Sequence, residues 1–269
     1  MKEVRWLFGM SVRRAAGLVG LQESTAYYPL KPKRDESRIT ERMIRLTQER
    51  PQYGRPQIIN FLKEEGFPDN HKRISRIYRE QGLQMYRRRG KRKRVGLRLV
   101  MPIPEKPNER WSMDFVTDCL ANGRRFRVFT LIDDCTRECL ALYADTGISG
   151  QRVSEVLDQV TTTRGFPRAI VSDNGPEFIS KAMDQWAYRN KIALSFISPG
   201  KPVQNAFIES FNGKFRFECL DRHWFENLDQ AKTMIEQWRD EYNRLRPHSS
   251  LKKKTPEQFA QQFKTVLCG

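Results

Sequence analysis

Three acidic residues, Asp114, Asp173 and Glu209, stand where a carboxylate is costly unless it has work to do. Asp114 lies inside the strand-like stretch Trp111-Ser-Met-Asp114-Phe-Val-Thr, so its immediate neighbours point to the opposite face. Asp173 closes the short apolar run Arg168-Ala-Ile-Val-Ser-Asp173, and Glu209 falls within a helix-like stretch among Phe207, Ile208 and Phe211. An ionised carboxylate in such surroundings needs a partner or a bound cation. Three of them converging on one face of a sheet would repel each other and raise one another's pKa. A divalent cation removes that conflict, and hard oxygen ligands favour Mg²⁺ or Mn²⁺. Taken singly, each acid also has an ordinary structural reading. Asp173, directly before Asn174-Gly175, is the kind of residue that opens a turn or caps a helix.

The elements around these acids follow from hydrophobic period and turn chemistry. Strands are expected over 111–117, 125–133 and 138–143, as an antiparallel meander with Asp133-Asp134-Cys-Thr-Arg137 as its last turn. A helix over 149–164 uses Val153, Val156, Leu157 and Val160 as its apolar stripe and ends at Gly165. A fourth strand (168–173), a helix (176–189), a fifth strand (192–197) and helices over 203–219 and 229–243 follow. This order describes an α/β fold, a mixed five-stranded sheet with flanking helices.

The remaining third of the chain is set apart by charge. The 269 residues carry a formal net charge of +17, but residues 1–100 hold 25 Lys and Arg against 10 Asp and Glu, a net of +15. Residues 101–269 are left with +2. Such a field attracts a polyanion, of which nucleic acid is the commonest. The sharpest feature is Arg87-Arg88-Arg89-Gly90-Lys91-Arg92-Lys93-Arg94, with seven basic residues in eight. Pro102, Pro104 and Pro107 follow within six residues and exclude a regular helix, which marks 85–110 as a basic, proline-rich linker. Ahead of it, Ser11-Val-Arg-Arg-Ala-Ala, a turn at Gly20 and a short helix from Glu23 form one helix-turn-helix signal in a helical segment over 1–36. The second, longer signal spans 37–84. It has a helix over 39–49 (Ile39, Met43, Ile44, Leu46 inward), the turn Tyr53-Gly-Arg-Pro56, a helix with Ile58, Ile59, Phe61 and Leu62, and a last helix from His71. In that last helix Ile74, Ile77 and Tyr78 face inward while Lys72, Arg73, Arg76 and Arg79 face out, a distribution suited to phosphate or groove contact.

Several classes of function are excluded. No apolar run approaches the roughly 20 residues of a membrane span, and the first 20 residues are too charged for a signal peptide. Five scattered cysteines do not suggest a disulfide framework, and a reducing cytoplasm is the expected location. Cys135 and Cys139 lack zinc spacing, and His71, His223 and His248 form no triad in sequence.

The ordered motifs resemble the catalytic core shared by DDE transposases and retroviral integrases, a ribonuclease-H-like fold. More narrowly, they resemble the second-frame (OrfB) product of two-frame bacterial insertion sequences. The matching stretches are Trp111-Ser-Met-Asp114, Leu131-Ile-Asp-Asp-Cys-Thr-Arg137, Val171-Ser-Asp-Asn-Gly-Pro-Glu-Phe178, Ser198 through Lys214, Phe217-Glu-Cys-Leu220 and Tyr242-Asn-Arg-Leu-Arg-Pro-His-Ser-Ser-Leu251. Asp173 and Glu209 are separated by 35 residues, the separation characteristic of that superfamily. The resemblance implies an integrase-like catalytic core over 111–269 and a helix-turn-helix segment for which Tyr53-Gly-Arg-Pro56 is the clearest match. It implies that Asp114, Asp173 and Glu209 bind two Mg²⁺ or Mn²⁺ ions. It further implies that Asn205, Asn212, Lys214 and Arg216 line the DNA-facing side of the Glu209 helix. Tyr242, Asn243, Arg246 and His248 match a C-terminal signature that supports the core or contacts DNA, with Arg246 the candidate contact. With Lys72, Arg73, Arg76, Arg87, Arg88, Arg89, Lys91, Arg92, Lys93 and Arg94, these residues make up the expected DNA surface. One departure stands out: Lys252-Lys253-Lys254 occupies the place where the family usually shows Gly-Tyr before Thr-Pro.

The implied activity is phosphodiester hydrolysis at insertion-sequence ends followed by 3′-hydroxyl strand transfer. Its partners are terminal inverted repeats, target DNA, further copies of the chain, and a first-frame product or a fusion with it. Two other readings stay open at this level: a catalytically inactive DNA-binding regulator, and a metal-dependent nuclease of the ribonuclease H type.

Overall fold

The computed structural model describes residues 8–18, 20, 22, 36–85, 103–197 and 205–265. The second helix expected near Glu23 and the basic run 87–94 lie outside the described residues. By contacts the chain divides into a unit of residues 1–42 and a unit of residues 43–269. The first unit contains α1 (Val12–Leu18), whose start is marked by Ser11 Oγ accepting from the Arg14 N–H at 3.4 Å, with Ala15 and Ala16 buried. Helix α2 covers Ser37–Glu49 and buries Ile39, Met43 and Leu46 at helical spacing, while Ile44 stays half-buried at the edge of the stripe.

Helices α3 (Arg55–Glu64) and α4 (His71–Glu80) follow. Pro56 sits at the start of α3, where a missing N–H costs nothing, and Ile58, Ile59, Phe61 and Leu62 are all buried. In α4 the Asn70 side chain caps the Lys72 N–H, and Ile74, Ile77 and Tyr78 turn inward as their spacing dictates. Arg50 stands over the stacked rings of Tyr53 and Phe61 and pairs with Glu241 at 3.1 Å.

The sheet has five strands, β1 (Arg110–Cys119), β2 (Arg125–Asp133), β3 (Cys139–Asp145), β4 (Ala169–Ser172) and β5 (Ala193–Phe196), in the spatial order β3-β2-β1-β4-β5. β1, β2 and β3 pair antiparallel, whereas β4 and β5 run parallel to β1. The sheet therefore has the mixed, ribonuclease-H-like arrangement that the resemblance implies. Alternation along the strands sorts the core into two layers. Trp111, Met113, Phe129 and Leu131 pack with α5 (Gly150–Arg164) and α6 (Lys181–Asn190). Val116, Phe126, Val128 and Ile132 pack with α7 (Ala206–Glu218) and α8 (Leu228–Arg244) on the other face.

One boundary differs from expectation for an identifiable reason. Helix α6 begins at Lys181 and not near Pro176, because residues 176–179 form a turn closed on the Gly175 carbonyl and Ser180 then caps the Met183 N–H. At Gly150, where α5 starts against this turn, an added Cβ would lie 2.0 Å from Ser180 Oγ and 2.6 Å from the Glu177 carbonyl oxygen. A last helix, α9 (Pro256–Thr265), follows a reciprocal cap in which Thr255 Oγ1 accepts from the Gln258 N–H and Gln258 Oε1 from the Thr255 N–H. Lys252 and Lys253 precede it with φ of +54° and +69°, left-handed values that glycine adopts more readily than lysine. Among the described residues no helix is long and apolar enough to cross a membrane.

Candidate active site

The parallel register of β1 on β4 sets Arg110 against Ala169 and Ser112 against Val171, so two further residues along each chain bring Asp114 beside Asp173. Asp114 shares its side of β1 with Val116, the side covered by α7. There Asn212 of α7 donates from Nδ2 to Asp114 Oδ2 at 2.8 Å, while the Phe115 N–H donates to Oδ1 at 2.7 Å. Asp173 Oδ1 accepts from the Gly175 N–H at 3.0 Å. Glu209 lies in the first turn of α7.

Electrostatics tie the three acids together. The Asp114 carboxyl is pushed up to about 6, first by burial and further by the charges of Asp173 and Glu209. The Phe115 N–H and Asn212 hold it back in part. Two sequence expectations need adjustment. Glu209 is exposed rather than embedded among apolar residues, because the helical turn sends Ile208 and Phe211 into the core and leaves Glu209 outside. Among the described residues, no group of three His, Cys, Asp or Glu side chains is close enough to hold an ion as it stands. The donor set still fits a hard divalent cation, since it offers carboxylate oxygens whose mutual repulsion already shows in Asp114.

The other expected site residues take several positions. Asn205 is buried at the start of α7, and its Oδ1 has no hydrogen-bond partner. Arg216 donates to the Thr117 carbonyl at 2.8 Å, which fixes it beside β1. Lys214 lies about 140° around the helix from Glu209 and donates to Ser210 Oγ at 3.1 Å. Arg246 is buried and grips both oxygens of Glu218, with contacts of 2.6 to 3.1 Å. In α4, Lys72 is exposed, Arg73 pairs with Asp69, and Arg76 pairs with Glu80 at 2.7 Å.

Asp133 and Asp134 stand at the expected turn between β2 and β3, and both are fully buried there. Asp133 accepts from the backbone N–H groups of Asn108, Cys135 and Thr136 at 2.7 to 2.9 Å. Asp134 binds the Arg110 guanidinium at 2.5 Å, which fastens the start of β1. A second overlooked pair joins Arg127 to Glu177, four residues past Asp173. Arg127 lies over the Phe115 ring at 3.9 Å, and that ring stacks on Phe178 at 5.0 Å. The loop after Asp173 is thereby anchored to the strand next to Asp114. Glu177 in the Asp-Asn-Gly-Pro-Glu-Phe stretch was the signal available in the sequence.

Residues 104–202 and 190–256 match families that are both described as Integrase core domain, and residues 33–92 match one described as HTH-like domain. A 31.7 kDa protein of insertion element IS407 from Burkholderia multivorans is 45% identical over 266 residues, covering 99% of this chain and 96% of that protein. The chain belongs to the insertion-element branch of the DDE transposase and integrase superfamily. A 39.2 kDa protein of insertion element IS476 from Xanthomonas euvesicatoria is 44% identical over 257 residues, 95% of this chain and 74% of that protein. The fold also matches a chain of the simian T-cell lymphotropic virus intasome with a TM-score of 0.54, at 15% identity over 81% of this chain and 74% of that one. As a DDE-type transposase, the chain is a polynucleotidyl transferase that works on DNA with divalent metal.

Proposed function

We propose that Asp114, Asp173 and Glu209 are the catalytic carboxylates and that they hold two Mg²⁺ or Mn²⁺ ions. With them the transposase hydrolyses a phosphodiester at each end of its insertion element and joins the freed 3′-hydroxyl to target DNA. The observation that carries this reading is the electrostatic load on Asp114, to which both of the other acids contribute from separate elements. Divalent ions, when bound, would activate the attacking oxygen and stabilise the departing one as charge develops in line.

The chain's own residues have distinct parts. Asn212 and the Phe115 N–H orient the Asp114 carboxylate, and Gly175 orients that of Asp173. The Arg127–Glu177 pair steadies the loop that carries Asp173. Glu209, exposed in the first turn of its helix, is the acid free to swing inward and complete the set. Helices over 37–84 and the cations of 87–94 supply DNA affinity, and residues 85–110 link them to the catalytic core. Copies of the chain pair the element ends, in a bacterial cytoplasm and on the nucleoid, alone or with a first-frame portion.

The test is to offer the protein, with Mg²⁺, a duplex carrying the element's inverted repeat, an unrelated duplex and an RNA–DNA hybrid. Nicking and joining confined to the element end are expected. Cleavage of the hybrid in preference would turn the assignment to a nuclease of the ribonuclease H type, and binding without any cleavage would turn it to a regulator.

A further inference from the structure

On the side of α7 that carries Lys214, the chain opens a groove of about 1560 Å³. Residues of α3 and α4 form one wall, and α7 with the 246–253 stretch forms the other. The lining holds seven Lys and Arg but one carboxylate, Glu218, and Arg246 already occupies both of its oxygens.

Three cationic or ring nitrogen groups in the lining are sunk into the protein. Arg137, held at φ +62°, lays its guanidinium 3.7 Å over the Phe207 ring, and its Nη1 is buried with no hydrogen-bond partner. His248 is 5% exposed, packs edge-on against Tyr242, and has an Nε2 that is likewise buried and unpartnered. Lys214 reaches the same place. Burial, then Arg246 and Arg137, pull its ammonium down to about 8, and burial with Arg246, Lys214 and Arg137 pulls His248 down to about 2. A buried polar nitrogen without a partner is costly, so two of them in the lining of one groove, among like charges, point to a missing anion.

We propose that Arg137, Lys214 and His248 form a phosphate pocket that grips a non-reacting phosphodiester of duplex DNA, on the side of α7 turned away from the catalytic acids. The neutral His248 ring serves as a donor through Nε2–H, and the two cations supply the charge. A DNA backbone suits the groove better than a single small anion. The space is far larger than one phosphate, and Arg55, Lys63, Arg79 and Lys253 continue the positive lining beyond the pocket. Arg87, the first residue of the basic run, follows two residues after Met85, which itself lines the groove. The pocket also gives the Tyr242 to His248 signature a role: Tyr242 and the Arg246–Glu218 pair build the wall from which His248 projects. The proposal rests on the reading of the chain as a transposase acting on DNA.

The test measures binding of a short duplex without divalent metal across a salt series, for the full chain and for Lys214→Gln, Arg137→Gln and Lys214→Arg. Each Gln variant is expected to bind about tenfold more weakly on every sequence and to lower the log–log salt slope by about 0.9. Lys214→Arg should restore most of the loss. Affinity and slope unchanged in both Gln variants would overturn the pocket. The function reading is checked separately by wild-type cleavage with Mg²⁺. Absent cleavage with Lys214-dependent binding would remove that reading and leave the pocket, whereas cleavage with binding indifferent to Lys214 and Arg137 would remove the pocket alone.

Discussion

Helix α7 carries opposite electrostatic problems on its two sides. Toward β1 it brings Glu209 and Asn212 to Asp114, where carboxylates accumulate and Asp114 resists ionisation. Toward the groove it brings Lys214 to Arg137 and His248, where cations accumulate and Lys214 resists protonation. Neither side is resolved by the protein alone. The difference teaches that, on the proposed reading, one helix serves two ligands of opposite sign, a divalent cation for the acids and a phosphate for the bases. The buried Arg246–Glu218 pair belongs to neither ligand. It satisfies itself and gives the basic side a rigid wall.

The comparison can be broken most severely at that wall. Glu218→Ala leaves Arg246 buried without its partner, and a loss of about 3–5 kcal/mol in unfolding free energy is expected by denaturant titration. A loss under about 1 kcal/mol would mean that the wall does not depend on the pair. On the acid side the sign reverses. Asp114 has a folded-state pKa raised to about 6, so above that pH the native state carries a charge it disfavours. Asp114→Asn should therefore stabilise the metal-free protein by about 2 kcal/mol at neutral pH. That gain should fade as the pH falls from 6 toward the ordinary carboxylate range, where the wild-type group is protonated in both states. A destabilised Asn variant at neutral pH would contradict the burial and repulsion that raise the Asp114 pKa.

His248 sharpens the basic side by its pH dependence. Its folded-state pKa is depressed to about 2, while an unfolded histidine titrates near 6.5. As the pH falls below about 6.5 the unfolded chain gains a proton that the native one refuses, so stability is lost. Relative to His248→Gln, the wild type should lose about 1.4 kcal/mol per pH unit through pH 5. Parallel stability curves for the two proteins would exclude a neutral buried ring. The smallest effect concerns the turn behind this side: Lys252→Gly relieves the left-handed backbone at φ +54° and should add about 0.5 kcal/mol to stability.

How much of this was legible in the sequence depended on the range of the interactions. The sheet and its two helix layers follow from alternation and helical spacing, which are local. Val153, Val156, Leu157 and Val160 read as a stripe and are all buried. The closeness of Asp114 to Asp173 needed only the parallel pairing of β1 with β4. The exposure of Glu209 was harder to read, because its neighbours Ile208 and Phe211 are apolar while its own direction depends on where α7 begins. The turn at Asp133 and Asp134 stands where it is expected, but their burial was not legible because their partners, Asn108 and Arg110, lie about 25 residues away in sequence. The groove was least legible of all. It joins residues near 55–85 to residues near 206–253, and only the folded chain shows that Arg137 and His248 share one place.

The most direct measurement is Mg²⁺-dependent cleavage of an element-end duplex by wild type and by Asp114→Asn, Asp173→Asn and Glu209→Gln, at protein concentrations that saturate the DNA. Each substitution is expected to lower the cleavage rate by at least about a thousandfold while duplex binding without metal stays near the wild-type level. A variant that retains cleavage within about tenfold of wild type would contradict the assignment of that carboxylate to the metal site.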